Sequence, residues 1–331
     1  EPDSQTEMAI QFIKDACLKD TPFALFLSWG PPHDPWHTEN VPAEYADIFK
    51  DIDIPLRPNY SVEQDPHADA WGNMGEGYAN KLKDNMRGYY AQTANIDWNL
   101  GKIMKAIDQL GIAEDTILVF TSDHGEMFGS HGRRAKNIFY EESCHVPFLL
   151  SWSEENFTKP TTDICLNTPD IMPTILSLMN LPIPSEVEGN DLSHSIYGRS
   201  GFEPDAALLQ SMGTTAAWQN ETEWRALRDK RYTYATYRKN GKECLFNNIE
   251  DPYQLTNLAS NPSSKNRLKY YRDMLAERMR DLNDTFENCC WYRDHWTVDR
   301  NIIQGAKGGS HDLGMLTDII SQHYSPDVLA K

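Results

Sequence analysis

The stretch that most constrains this chain is Ile117-Leu118-Val119-Phe120-Thr121-Ser122-Asp123-His124-Gly125-Glu126, followed by Met127-Phe128-Gly129-Ser130-His131-Gly132. Its apolar start, rich in β-branched and aromatic residues, reads as a short buried strand. The strand breaks at an Asp-His pair flanked by glycines. In an open α/β sheet, ligands collect beyond the carboxyl ends of the strands. An aspartate and a histidine side by side there offer a metal ion one oxygen and one nitrogen. The bland reading of the same residues is an N-capping aspartate and a solvated histidine, so the rest of the chain has to decide.

Upstream, Ala9, Phe12, Ile13, Ala16 and Cys17 have helical spacing and predict a helix over 6–19. Phe23-Ala24-Leu25-Phe26-Leu27-Ser28-Trp29 is a continuous apolar run, as expected of a strand buried on both faces of a parallel sheet. It ends at Gly30-Pro31-Pro32-His33-Asp34-Pro35-Trp36-His37, where the prolines fix the path of a loop that carries two histidines. An imidazole held at a strand end is placed for proton transfer or anion contact. Residues 51–77 show little periodicity and read as a rim or lid over a site. From Leu82 to Leu110, apolar residues including Met86, Tyr89, Thr93, Ile96, Ile103 and Ile107 recur at steps of three and four. They predict a long amphipathic helix that ends at Gly111.

Beyond Gly132, Arg133, Arg134 and Lys136 form a cationic cluster in a chain of net charge −18. Val146–Trp152 predicts another strand. Thr168-Pro169-Asp170 predicts a helix start with Thr168 as cap. Strands alternating with helices argue for a mainly parallel α/β sheet flanked by helices. The texture changes near Gly201. Short β-rich stretches follow, with a hairpin turn at 238–241, and then a helix opening at Asn261-Pro262-Ser263. Three regions are expected: 1–200 as part of an α/β catalytic domain, 201–300 as a small α+β subdomain, and 301–331 as a surface tail.

The negative charge argues against nucleic acid or an anionic membrane surface as partner, and no apolar run approaches the ~20 residues of a membrane helix. The six cysteines contain no Cys-x-x-Cys pair, which speaks against structural zinc; adjacent Cys289 and Cys290 could enter separate disulfides or stay as thiols. Sequons at Asn59, Asn156, Asn220 and Asn283 hint at a secretory, periplasmic or extracellular setting.

Asp123 and His124 for a cation, His33 as acid or base, and Lys136 to neutralise a tetrahedral anion are the parts that metal-assisted sulfuryl or phosphoryl transfer requires. At this point the sequence resembles the formylglycine-dependent sulfatases of the alkaline-phosphatase superfamily. The resemblance is carried by Pro31-Pro32-His33-Asp34-Pro35 and Thr121-Ser122-Asp123-His124-Gly125-Glu126, with Gly129, His131-Gly132 and Lys136. It continues in Tyr140-Glu141-Glu142-Ser143 before Val146-Pro147, in Trp224-Arg225-Ala226-Leu227-Arg228, and in Glu250-Asp251-Pro252-Tyr253. It implies that Asp123 and His124 bind a divalent cation, usually Ca2+. It also implies that Lys136 and His33 contact the sulfate and protonate the leaving oxygen, and that the substrate is a sulfated sugar or small sulfate ester. Arg133, Arg134 and His37 are candidates to extend substrate binding, with a solvated surface face as the favoured plainer reading; Glu126 and His131 read as loop-holding residues.

The chain departs from that family at its start: the resemblance implies a nucleophile motif, paired metal aspartates on a first strand and a Lys and His after the nucleophile, all of them expected to precede Glu1. The family's nucleophile is a Cys or Ser in a Cys/Ser-x-Pro-x-Arg motif, and none of the six cysteines here has Pro two residues on and Arg four on. With Glu1 in place of an initiator Met, the expectation is the carboxy-terminal two-thirds of a sulfatase, inactive alone. A phosphonate or phosphodiester hydrolase of the same superfamily, and a non-catalytic paralogue that binds sulfated glycans, are the competing readings.

Overall fold

The structure is a computed structural model that describes residues 2–19, 21–63, 65, 72–152, 161–211, 222–298 and 301–302. The expected tail at 301–331 therefore lies outside the described residues except for Asn301 and Ile302, as do the sequons at Asn156 and Asn220. The chain divides into two compact units, one of residues 1–136 and 140–156, the other of 137–139 and 157–331.

The first unit is built on two helices, α1 (Pro2–Leu18) and the long α4 (Leu82–Leu110), with α2 (Ala43–Phe49) and α3 (Gly75–Ala79) between them in sequence. Ile13 of α1 and Ile103 and Ile107 of α4 form a buried cluster against which Phe23, Leu27 and Trp29 pack. Burying each such side chain is worth roughly 1.5–3 kcal/mol. Gly111 ends α4 in the left-handed conformation, φ 69°, as the sequence predicts. The seam of α4 is more polar than its periodicity implies. Thr93 is exposed, whereas Gln92, Asn95 and Asn99 are buried. The reason is hydrogen bonding: Gln92 Nε2 donates to Pro35 O at 2.9 Å, and Asn95 Nδ2 donates to Asp3 Oδ2 at 3.3 Å.

Strand β1 (Leu118–Thr121) pairs with β2 (Phe148–Ser151), Leu118 opposite Ser151 and Thr121 opposite Phe148, with the short α5 (Glu141–Cys144) between them. The α/β character expected of the chain is present, but this ladder is antiparallel. The run 23–29 differs from expectation: it joins no ladder among the described residues. Phe26 is 94 % exposed and Leu25 38 %. One side of the run packs on α1 and α4 and the other faces outward, so its apolar continuity does not come from burial on both faces.

The second unit holds α6 (Thr168–Leu178), α7 (Ser193–Ile196), a four-stranded antiparallel sheet, α8 (Lys265–Asp281) and α9 (Cys289–Trp296). The sheet runs β3 (Ala207–Ser211), β4 (Trp224–Arg228), β5 (Tyr232–Tyr237), β6 (Glu243–Asn247) in spatial order. The expected hairpin turn joins β5 to β6, with Gly241 at φ 62°. The cap of α6 is Asn167 rather than Thr168. The Asn167 side chain accepts from Thr168 N, and Asp170 Oδ2 accepts from Asn167 N at 3.0 Å, which closes a capping box one residue earlier than the sequence suggests. Leu227, Tyr234 and Leu245 of the sheet and Leu268, Tyr271 and Leu275 of α8 form the unit's main core. All six cysteines lie among the described residues, and none is joined to another by a disulfide.

Candidate active site

Three loops of the first unit supply the predicted site residues. The first, 30–37, is bolted to α4. Besides the Gln92 bond, Trp36 Nε1 donates to Pro32 O at 2.7 Å and the Trp36 ring lies 5.0 Å from that of Phe128. Gly88 of α4 lets the loop approach: a Cβ there would sit 1.8 Å from the Trp36 carbonyl oxygen. This close approach is the reason for a glycine in mid-helix, where it costs roughly 1 kcal/mol against alanine. The loop presents His33 with its side chain about half exposed.

The second loop, 122–127, leaves β1 at its carboxyl end. Ser122 Oγ donates to His124 O at 2.8 Å, and His124 N donates to Asp123 Oδ1 at 3.0 Å. Gly125 N donates to Ser143 O at 2.9 Å, and a Cβ on Gly125 would lie 2.0 Å from Glu142 O. His124 Nδ1 lies 2.9 Å from Gly125 O, a contact that needs the proton on Nδ1 and so leaves Nε2 as the nitrogen that a cation could take. Nε2 stands 3.4 Å from Asp123 Oδ2. A carboxylate oxygen and a lone-pair nitrogen at that separation, with the imidazole oriented by a backbone carbonyl, fit two ligands of one divalent cation. They are two donors of the six to eight that Ca2+ takes, and no group of three or more such residues gathers among the described residues.

The third loop, 128–137, is coiled by left-handed residues: Phe128 (φ 42°), Gly129 (84°), His131 (53°), Gly132 (69°), Ala135 (60°) and Asn137 (68°). Gly129 N donates to Arg133 O at 2.7 Å and Met127 N to Ala135 O at 2.9 Å. Lys136 is thereby flanked by two positive-φ residues. Its Nζ lies 2.8 Å from His33 Nε2, and the His33 and His124 ring centroids are 6.1 Å apart. The structure thus brings His33, Lys136, Asp123 and His124 together within one unit.

Glu126 and His131 hold this loop. Glu126 Oε1 accepts from Ala135 N at 2.6 Å and from the Tyr78 hydroxyl at 3.4 Å. Burial pushes its carboxyl above the ordinary value of 4.5, against the opposing pull of the Ala135 and Phe128 amides and the Lys136 charge. The His131 ring stacks on Tyr140 at 3.8 Å, and Asn59 Nδ2 reaches both His131 Nε2 (3.2 Å) and Glu142 Oε1 (2.6 Å). Asn59 is 3 % exposed, so its sequon is occupied by this network rather than presented to solvent. Arg133 corrects an expectation as well: it is buried and paired with Asp65 at 3.2 Å, so it is not a rim cation. Arg134 lies over the Tyr78 ring at 5.8 Å, and His37 stays exposed. The anchors Gln92 and Tyr78 carried no sequence signal, being ordinary polar or aromatic residues far from the motif, and Asn59 stood out only as a sequon.

A raised carboxyl pKa has a definite sign in stability. Because Glu126 binds its proton more tightly folded than unfolded, native stability falls as pH rises from about 4.5 through the raised value. Glu126→Gln is therefore expected to be at least as stable as the native chain at neutral pH, with the gap closing in acid. Glu126→Ala, which strands the Ala135 amide, should lose about 1–3 kcal/mol. Urea unfolding across the acid range separates the two.

Comparison with known proteins bears on the family. The Sulfatase family profile matches residues 3–181, and the profile of the N-sulphoglucosamine sulphohydrolase carboxy-terminal region matches 129–284. An ulvan-active sulfatase of Formosa agariphila is 32 % identical over 307 residues, covering 92 % of this chain and 56 % of its own. An endo-4-O-sulfatase of Bacteroides thetaiotaomicron is 29 % identical, covering 90 % and 59 %. Among solved structures, yidJ of Bacteroides fragilis, assigned as a sulfatase, superposes with a TM-score of 0.73 at 30 % identity over 86 % of this chain and 59 % of that one. The protein BT4656, solved with its substrate D-glucosamine-2-N,6-O-disulfate, shares the fold at 17 % identity, TM-score 0.74, over 86 % and 70 %. The chain spans rather more than half the length of the curated relatives it matches, 56 % and 59 % for these two. On the strength of a family profile that covers more than half of its residues, the chain belongs to the sulfatase family.

Proposed function

We propose that these residues serve the hydrolysis of a sulfate ester on a sulfated carbohydrate. The observation that carries the reading is the 2.8 Å contact between Lys136 Nζ and His33 Nε2 beside the Asp123–His124 pair. A sulfate ester is an anion, and breaking its S–O bond leaves an alkoxide oxygen that must gain a proton. The Lys136 ammonium is a compact charge suited to a sulfate oxygen. Lys136 and His33, already in hydrogen-bond contact, are the groups able to deliver that proton to the leaving oxygen. Asp123 and His124 would hold a divalent cation, taken to be Ca2+, which when bound neutralises charge on the sulfate. A sulfated sugar as substrate is supported by the names of the ulvan-active and endo-4-O relatives. Such polymers are met outside the cytoplasm, which favours a periplasmic or extracellular setting; no helix among the described residues is long and apolar enough to cross a membrane.

The cysteines supply no Cys-x-Pro-x-Arg nucleophile, so the pure 331-residue chain is expected to show no turnover of p-nitrophenyl sulfate with or without Ca2+. Measurable turnover would refute that requirement. Supplied with a nucleophile segment of the family type, the protein should hydrolyse sulfate esters in preference to phosphate esters. There, Lys136→Ala or His33→Ala should each lower kcat/KM by about 10²–10⁴-fold. A phosphate preference, or variants as active as the parent, would sink the sulfatase assignment of this site.

A further inference from the structure

We infer that Asp34 is a positioning residue: its carboxylate fixes His33 as the Nδ1–H tautomer and so points an unprotonated Nε2 at Lys136. The inference deepens the proposed function, since it assigns the proton arrangement of that same site. Two contacts on opposite sides of one ring carry it. On one side, Lys136 Nζ lies 2.8 Å from Nε2. An ammonium has donors and no acceptor, so a close contact with it requires the lone pair on Nε2; a proton there would set two donors head to head. On the other side, Nδ1 lies 2.7 Å from Asp34 Oδ1, with the Asp34 carbonyl oxygen at 3.2 Å. An ionised carboxylate is an acceptor only, so that contact requires the proton on Nδ1. The two demands agree on one neutral tautomer and exclude the other.

The arrangement is Asp34 carboxylate, His33 imidazole, Lys136 ammonium in line, an acceptor, a relay and a donor. It follows the logic in which a carboxylate orients the base and a third group sits at its far nitrogen. The ring cannot simply turn over to serve another partner. The backbone of 33–36 is held by the Gln92, Trp36 and Gly88 contacts, so Asp34 and His33 keep their relative placement. Asp34 is 61 % exposed on its side chain. Hence its replacement removes the acceptor without opening a cavity. In the reaction proposed above, this places the proton exchanged with the leaving oxygen on the Nε2/Nζ side, while the Nδ1 proton stays with Asp34 throughout.

The test is long-range 1H–15N correlation of the imidazoles in the intact 331-residue chain, at about pH 8.5 where imidazoles are neutral. Native His33 should show the Nδ1–H pattern. Lys136→Met should keep it, because Asp34 sets the tautomer. With that opposing ammonium gone, adding Asp34→Ala should make Nε2–H the major form, since only the backbone carbonyl at 3.2 Å still faces Nδ1, and adding Asp34→Asn instead, whose amide oxygen still accepts, should retain Nδ1–H. A native Nε2–H pattern, or a Lys136→Met/Asp34→Ala chain that keeps Nδ1–H as Lys136→Met alone does, overturns the inference. Neither result depends on sulfate hydrolysis, so failure of the sulfatase reading and failure of the tautomer assignment are seen separately.

Discussion

Asp284→Asn is expected to destabilise the second unit by about 3–5 kcal/mol, the usual cost of removing one partner from a buried ion pair. Asp284 is the hub of its surroundings. Both of its oxygens engage Arg225, with Arg225 Nη2 donating to Oδ1 at 2.8 Å and Nε to Oδ2. The Tyr292 hydroxyl donates to Oδ1 at 2.6 Å, Phe286 N to Oδ1 at 2.8 Å, and Gln210 Nε2 to Oδ2 at 2.8 Å. Arg225 itself is fully buried. With an amide opposite, its guanidinium would remain charged and lose its counter-charge. Replacing both residues together by apolar ones of similar size should cost less than the single change, because no lone charge then stays inside. The native pair also sets a pH limit. Burial tends to raise the Asp284 carboxyl, but the Arg225 and Tyr292 hydrogen bonds outweigh it and hold the group below its ordinary 3.8. A depressed native pKa gives stability that is full above about 3.8 and is lost as pH falls through the native value. Chemical unfolding of Asp284→Asn should therefore lack the part of the acid transition that the native chain shows there; an unchanged acid limb would reject this role.

Gly88→Ala should destabilise the first unit by about 1–3 kcal/mol, although alanine is the better helix former by nearly 1 kcal/mol. The new Cβ would lie 1.8 Å from a backbone oxygen of Trp36 and 2.7 Å from its carbonyl carbon. Backbone cannot rotate away as a side-chain tip can, so loop and helix must part. The same helix provides the control. A Cβ on Gly101 meets nothing within 4 Å, so Gly101→Ala should stabilise by about 0.5–1 kcal/mol. Urea midpoints of opposite sign for the two substitutions are the expected result. Because the Gly88 contact also sets the height of the 30–37 loop, Gly88→Ala should disturb the His33 resonances while Gly101→Ala leaves them unmoved.

The elements that the sequence reveals are those whose signal is local. The spacing of Leu82, Met86, Ile96, Ile103 and Ile107 gives α4, and Gly111 gives its end, because a 3.6-residue period and a left-handed cap are written in consecutive residues. The short apolar run before Asp123 gives β1 for the same reason. The candidate site residues could be picked out because chemistry restricts which side chains suit a tetrahedral anion and a cation. What stayed hidden is pairing and anchorage. Nothing in Phe23–Trp29 distinguishes a strand packed on two faces from one packed on a single face. Whether β1 meets its neighbour in parallel or antiparallel register depends on a partner 27 or more residues away. Arg133 looked like a surface cation because charge alone was visible; Asp65, which buries it, stands 68 residues upstream.

The knot at Asn59 has a consequence for how such a chain diversifies. Asn59 Nδ2 bridges His131 and Glu142, His131 N donates to Asn59 O at 2.8 Å, and Tyr60 forms a bridge with Ser130. The 57–61 part of the expected rim segment is thus stitched to the coil that carries Lys136. Selection acting on that segment cannot treat it as a detachable part. Changes between Arg57 and Ser61 will be inherited together with compensating changes in 129–142.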